Sequence, residues 1–145
     1  MNNRELRRKI AEDTLAILEK GYFISPSGKR IEIEDLQRKS ESNTKLYKPT
    51  ESDELLKSLS DQESSQDTTI TVTNQTTLAA TRALIQEGYE DVLCLNFASA
   101  KNPGGGFLGG SQAQEESIAR STGLYNCQMK VFEYYEVNRK EKSCK

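Results

Sequence analysis

Residues 96–116 read Asn96-Phe-Ala-Ser-Ala-Lys-Asn-Pro-Gly-Gly-Gly-Phe-Leu-Gly-Gly-Ser-Gln-Ala-Gln-Glu-Glu116, and the rest of the chain is best read outward from them. An apolar run ends here, a glycine-rich loop follows, and two adjacent carboxylates close the stretch. Gly104, Gly105, Gly106, Gly109 and Gly110 give a backbone that can turn tightly and approach a ligand closely. Successive N–H groups in such a loop form a concave nest for phosphate oxygens. Glu115 and Glu116 stand where a helix is predicted to begin, and a carboxyl group is the acid that cleavage of a sugar acetal needs. A phosphate cradle beside a carboxyl acid points to a nucleotide-sugar ligand.

The residues before the loop place it in an α/β frame. Thr69–Thr73 is predicted to be a strand by its β-branching and alternation. Asn74 or Thr76 can cap a helix running to about Glu87, with Leu78, Ala79, Arg82 and Ile85 at helical spacing, and Gly88 ends it. Asp91–Phe97 is largely apolar, the pattern of a strand buried on both faces, which puts Cys94 in the core. Strand, helix, strand makes a parallel βαβ unit. Ligands in such sheets bind beyond the carboxyl ends of the strands, where the glycine loop starts. Downstream, Ala113–Cys127 and Val131–Arg139 are predicted to be helical, with Phe132 and Tyr135 inward and Tyr125 and Tyr134 in the core. Two parallel strands fall short of the usual sheet of about five to six. Truncation of the domain on its C-terminal side is the preferred explanation; completion by a second chain or by self-association, or an uncounted strand, are the others.

The first part of the chain has a different character. Asn3–Lys20 reads as an amphipathic helix, with Leu6, Ile10, Thr14, Ile17 and Leu18 near one face and Gly21 at its end. Tyr22–Ile24 and Arg30–Ile33 look like short strands around the turn Pro26-Ser-Gly28. Asp35 to about Asn43 gives no clear signal. Lys45–Pro49 is predicted to be extended, Glu51–Leu59 a short helix, and polar Ser60–Thr69 a mobile linker. The expected domains are therefore an N-terminal extension over residues 1–67 and the first part of an α/β domain over 68–145.

Bulk composition sets limits. The chain has 145 residues, a net charge of −2 and 34% apolar residues. No broad basic surface is implied, so direct DNA binding is not expected. Cys94, Cys127 and Cys144 are too few and too scattered for a disulfide framework or a paired-cysteine metal site. The absence of histidine removes Ser-His and Cys-His nucleophile systems and most zinc chemistry. No metal or cofactor is expected. The charged N-terminus lacks the apolar core of a signal peptide, and no stretch is long and apolar enough for a membrane span. An intracellular, cytoplasmic protein is the expectation, with a nuclear one possible in a eukaryote.

Each chemical feature also has a local reading. Three consecutive glycines can be an ordinary turn; these form neither a Walker A loop nor a Rossmann fingerprint. Paired acids at a helix start are favourable partners of the helix dipole. Neighbours on a helix point about 100° apart, so only one of Glu115 and Glu116 can face a substrate squarely while the other orients a hydroxyl or braces the loop. Asn96 and Asn102 are turn or strand residues, or carboxamides for ribose hydroxyls. Phe107 is either a stacking residue over a ligand or the apolar anchor of its loop.

Gly104-Gly-Gly106, seven residues, then Gln114-Glu-Glu116 resembles the signature of poly(ADP-ribose) glycohydrolases. The words Val72–Thr77, Leu95–Ser99, Asn102–Leu108 and Leu124-Tyr125 are similar to the compact microbial-type branch, as are Glu12, Thr14 and Leu46–Pro49 upstream. The resemblance runs from about Arg7 to Arg139. It implies a macrodomain-like α/β/α sandwich, present here as its N-terminal half, behind an N-terminal helical extension. It further implies hydrolysis of the ribose–ribose O-glycosidic bond in poly(ADP-ribose), with ADP-ribose released and ADP-ribosylated proteins as partners. Glu116 would be the catalytic acid/base and Glu115 would fix a ribose hydroxyl. Gly104, Gly105, Gly106, Phe107, Gly109 and Gly110 would line diphosphate and ribose, Asn102 would contact the distal ribose, and Gln114 would support the loop. Members of the family continue past the position of Arg139 with further strands, a second phosphate loop and an adenine-stacking aromatic residue. That departure leaves a second expectation open, an inactive relative that binds ADP-ribose or regulates.

Overall fold

The computed structural model describes residues 2–60 and 67–140. The chain opens with α1, Asn3–Lys20. Asn2 starts it, its Oδ1 accepting the Glu5 N–H at 2.8 Å, and Gly21 ends it in the left-handed conformation. The face it buries is not quite the predicted one. Ala11 is fully buried with Thr14, Leu15, Ile17 and Leu18 around it, whereas Leu6 and Ile10 stay 44% and 40% exposed. The helix leans on the turn Phe107–Gly109, and only a side chain as small as Ala11 allows so close an approach.

The hairpin follows as predicted. β1, Tyr22–Ile24, pairs antiparallel with β2, Arg30–Glu32, in the register Phe23 to Ile31. Residues 34–42, silent in the sequence, form α2, Glu34–Ser42. The helix α3, Pro49–Ser60, begins two residues before the predicted Glu51. Proline suits the first helical position, and the Glu51 carboxylate accepts the Lys48 N–H at 2.7 Å. Most of the predicted linker lies outside the described residues. In α4, Thr77–Gln86, the cap is Thr76, whose hydroxyl accepts the Ala79 N–H at 3.2 Å.

The two predicted parallel strands do not form a ladder. Among the described residues the sheet is the β1–β2 hairpin alone. Ile70 and Val72 are 85% and 93% exposed, and Leu93, Leu95 and Phe97 are 96%, 72% and 72% exposed. Strand preference records the fit of a side chain to a pleated, half-covered surface. Neither segment has such a surface here. Cys94 is accordingly exposed rather than in the core, 2.7 Å from the Thr81 hydroxyl.

The last predicted long helix is two. α5 spans Gln114–Ala119 and α6 spans Leu124–Lys130. Thr122 makes the joint, its hydroxyl donating back to Ile118 O at 2.9 Å and accepting the Leu124 N–H at 3.2 Å. α6 lies against α2: Gln37 donates to Gly123 O, and Lys130 pairs with Glu41 at 3.1 Å. The Gln37 amide, then Lys130, holds the Glu41 carboxyl below the usual carboxylate range. Finally α7, Glu133–Lys140, buries Tyr135. The core is small: Ala11, Phe107 and Ala119, with Leu15 and Tyr125 packed on it.

Candidate active site

The glycine loop is folded back on the start of α5. Gly104, Gly105 and Gly110 take positive φ, and Gly105 shows why no other residue would serve. A Cβ there would lie 2.6 Å from Glu116 Oε1 and 3.0 Å from Glu115 Oε2. Both carboxylates are thus pressed against bare backbone. Glu115 is 3% and Glu116 9% exposed, so neither is a solvated partner of the helix dipole.

The two differ in how fully they are held. Glu115 Oε2 accepts the Ser99 N–H at 2.7 Å, and its Oε1 accepts from Gln128 Nε2 at 2.9 Å. Glu116 Oε1 accepts the Gly106 N–H at 3.0 Å, while its Oε2 has no hydrogen bond among the described residues. One acid is clamped from both sides and the other has one oxygen uncommitted. The neighbourhood is also electrically specific. Burial, with Glu115 and Tyr134 adding to it, pushes the Tyr135 phenol up to about 12. Burial and the nearby Arg7 lower the Arg120 guanidinium, and Glu116 partly offsets them.

All five loop-glycine N–H groups have protein acceptors: Gly104 donates to Gln128 Oε1 at 2.7 Å, Gly105 to Asn102 O at 3.0 Å, Gly106 to Glu116, Gly109 to Gly106 O at 3.0 Å and Gly110 to Phe107 O at 3.0 Å. What these glycines offer a diphosphate in this structure is close approach of the chain rather than free donors. The other side of the loop is tied to α1: Arg4 Nε donates to Gly109 O at 2.9 Å and Arg7 Nε to Gly110 O at 2.8 Å. Arg120 Nη1 donates to Ser111 O at 2.7 Å.

The remaining expected residues are placed as follows. Asn102 is exposed at the mouth of the loop, its N–H bonded to Ser99 Oγ at 3.1 Å. Phe107 is fully buried against Tyr125, with ring centroids 5.0 Å apart, so of its two readings the packing is that of an anchor. Gln114 braces the segment before the loop rather than the glycines. Its Oε1 accepts the Phe97 N–H at 2.9 Å, and its Nε2 reaches Leu95 O at 2.8 Å and Thr77 Oγ1 at 3.1 Å. Asn96 Oδ1 is buried without a hydrogen-bond partner. Gln128, Ser99, Arg7 and Arg120 were not singled out by sequence: Arg7 is distant along the chain, Ser99 meets Glu115 through its N–H, and Gln128 and Arg120 reach the loop only once the chain has folded. Among the described residues no group of three or more His, Cys, Asp or Glu could hold a metal.

Comparison with known proteins bears on this geometry. The family model "Microbial-type PARG, catalytic domain" matches residues 11–145. The crystal structure of poly(ADP-ribose) glycohydrolase from Thermomonospora curvata aligns with a TM-score of 0.88 at 44% identity, covering 93% of this chain and 49% of that one. A structure of the same enzyme bound to the inhibitor ADP-HPD aligns with a TM-score of 0.86 at 42% identity, covering 96% and 49%. The chain thus spans about half the length of these relatives. No curated protein matches it. The fold is a partial α/β macrodomain-like one with an N-terminal helix. A family match over nearly the whole chain, with the motif acids buried against the glycine loop, makes the conclusion plain: this chain belongs to the microbial-type poly(ADP-ribose) glycohydrolase (PARG) catalytic-domain family.

Proposed function

We propose that this site hydrolyses ribose–ribose O-glycosidic bonds of poly(ADP-ribose) and releases ADP-ribose. The observation that carries the reading is the pair of buried carboxylates against Gly105, one fully clamped and one with a free oxygen. Glu116, in its acid form, gives its proton from Oε2 to the leaving ribose oxygen as the bond to the anomeric carbon breaks. The resulting carboxylate then takes a proton from the water that adds to that carbon, which restores the acid. Gly106 holds the other oxygen of Glu116 throughout, so the proton-carrying oxygen keeps its direction. Each carboxylate oxygen can accept two hydrogen bonds. Glu115 can therefore hold a ribose hydroxyl while keeping Ser99 and Gln128. The inhibitor-bound relative supports a ligand of ADP-ribose type.

The test is the Glu116→Gln substitution, which keeps the Gly106 contact and removes the transferable proton. ADP-ribose release from the polymer should fall at least about a hundredfold, with ADP-ribose binding retained in calorimetry. Unchanged turnover would overturn the assignment. A second reading is binding of ADP-ribose without turnover, consistent with loop N–H groups that already have protein acceptors. Heat of binding from the unaltered chain, with no ADP-ribose released, would select it.

A further inference from the structure

We infer that Gln128 is the positioning residue that sets the spacing between the glycine loop and Glu115, an inference that rests on the proposed role of Glu115 as a ligand-holding carboxylate. The carboxamide bridges the two halves of the site. Its Oε1 accepts the Gly104 N–H at 2.7 Å, and its Nε2 donates to Glu115 Oε1 at 2.9 Å. The first bond fixes the second: with its oxygen taken by a main-chain donor, the amide has only its NH2 group to turn to the acid. No other uncharged side chain of that length carries a donor and an acceptor together.

The arm that carries the amide is itself held. Tyr125, one turn earlier on the same face of α6, packs on Phe107 within the loop. Gln128 and Tyr125 thus meet the loop at two points, one polar and one apolar. On its far side α6 is fastened to α2 through Gln37 and the Lys130–Glu41 pair. The Gln128 amide is half-buried and faces both ends of the loop–acid gap. Glu115 has Ser99 on its other oxygen, so loss of Gln128 leaves the carboxylate tethered at one point and free to turn. It also leaves the Gly104 N–H without its acceptor.

The experiment uses the full chain and ADP-ribose as the calorimetric probe. Gln128→Met preserves length and removes both hydrogen bonds; Gln128→Glu preserves the acceptor but sets a second carboxylate against Glu115. Both should weaken ADP-ribose binding about tenfold, which is about 1.4 kcal/mol, and raise KM for polymer more than they lower kcat. The deciding measurement is a double-mutant cycle with Glu115→Ala. If Gln128 acts through Glu115, Gln128→Met costs clearly less affinity in the Glu115→Ala background than in the unaltered chain, a result that a general loss of packing would not give. Fully additive losses, or Gln128→Met binding as tightly as the unaltered chain, would overturn the inference. Failure of the hydrolase reading is distinct: the unaltered chain would then bind ADP-ribose, the cycle would still show coupling, and no ADP-ribose would leave the polymer. An unaltered chain that binds no ADP-ribose overturns both.

Discussion

Gly105 sits at φ +60° with two carboxylates where a side chain would be. The position is therefore closed to other residues twice over, by backbone conformation and by space. Gly105→Ala should cost about 1–3 kcal/mol in a urea titration, and should also push Glu116 off the Gly106 N–H. Gly109 is the control. It lacks a positive φ, and a Cβ there would come no nearer than 3.9 Å to Arg4 Nη2, so Gly109→Ala should stay within about 0.5 kcal/mol. Equal effects at the two positions would contradict this account. The sequence offered five glycines as equivalents, because composition says that a turn is present and not which residue bears the close approach. It was more informative about the acids. Glu115 and Glu116 were readable as an acid pair at a helix start, but their convergence on Gly105 was not, since helical geometry alone turns neighbours about 100° apart. Which of them is clamped depends on Ser99 and Gln128, 16 and 13 residues away from Glu115, and no local pattern encodes that.

Helices were legible where their signals are local. Gly21 at the end of α1 and Thr76, one of two candidate caps of α4, could be read because a cap is a contact within one turn; Asn2, which caps α1, was not singled out. The break between α5 and α6 was not legible, since Thr122 bonds in both directions only once the chain has turned there. The buried face of α1 was half legible: periodicity finds an apolar stripe but not the neighbour that selects Ala11 over Leu6. That difference is measurable. Arg7→Leu removes a charged donor from Gly110 O and should destabilise by about 1.5–3 kcal/mol. Leu6→Ser, on a side chain 44% exposed, should cost no more than about 0.5 kcal/mol. Denaturant midpoints that reversed this order would place the helix contact elsewhere.

At the scale of the molecule, the α/β reading held in family and outline but not in its strands. β-branched and apolar residues at 69–73 and 91–97 state a preference, and a strand needs a partner to satisfy it. Hydrogen exchange should show the contrast directly. Amides of Leu93, Cys94 and Leu95 should exchange near unfolded rates, while those of Ser99, Gly104 and Gly106, each given to a protein acceptor, should be at least about tenfold slower. Equal protection in the two groups would mean that the 91–97 segment is covered in solution. Finally, Arg4 and Arg7 grip carbonyls 105 and 103 residues further along. During synthesis α1 leaves the ribosome long before the loop that it holds exists. Those two bonds can close only after residue 110 has emerged, so the docking of α1 on the loop is a late event in synthesis of this stretch.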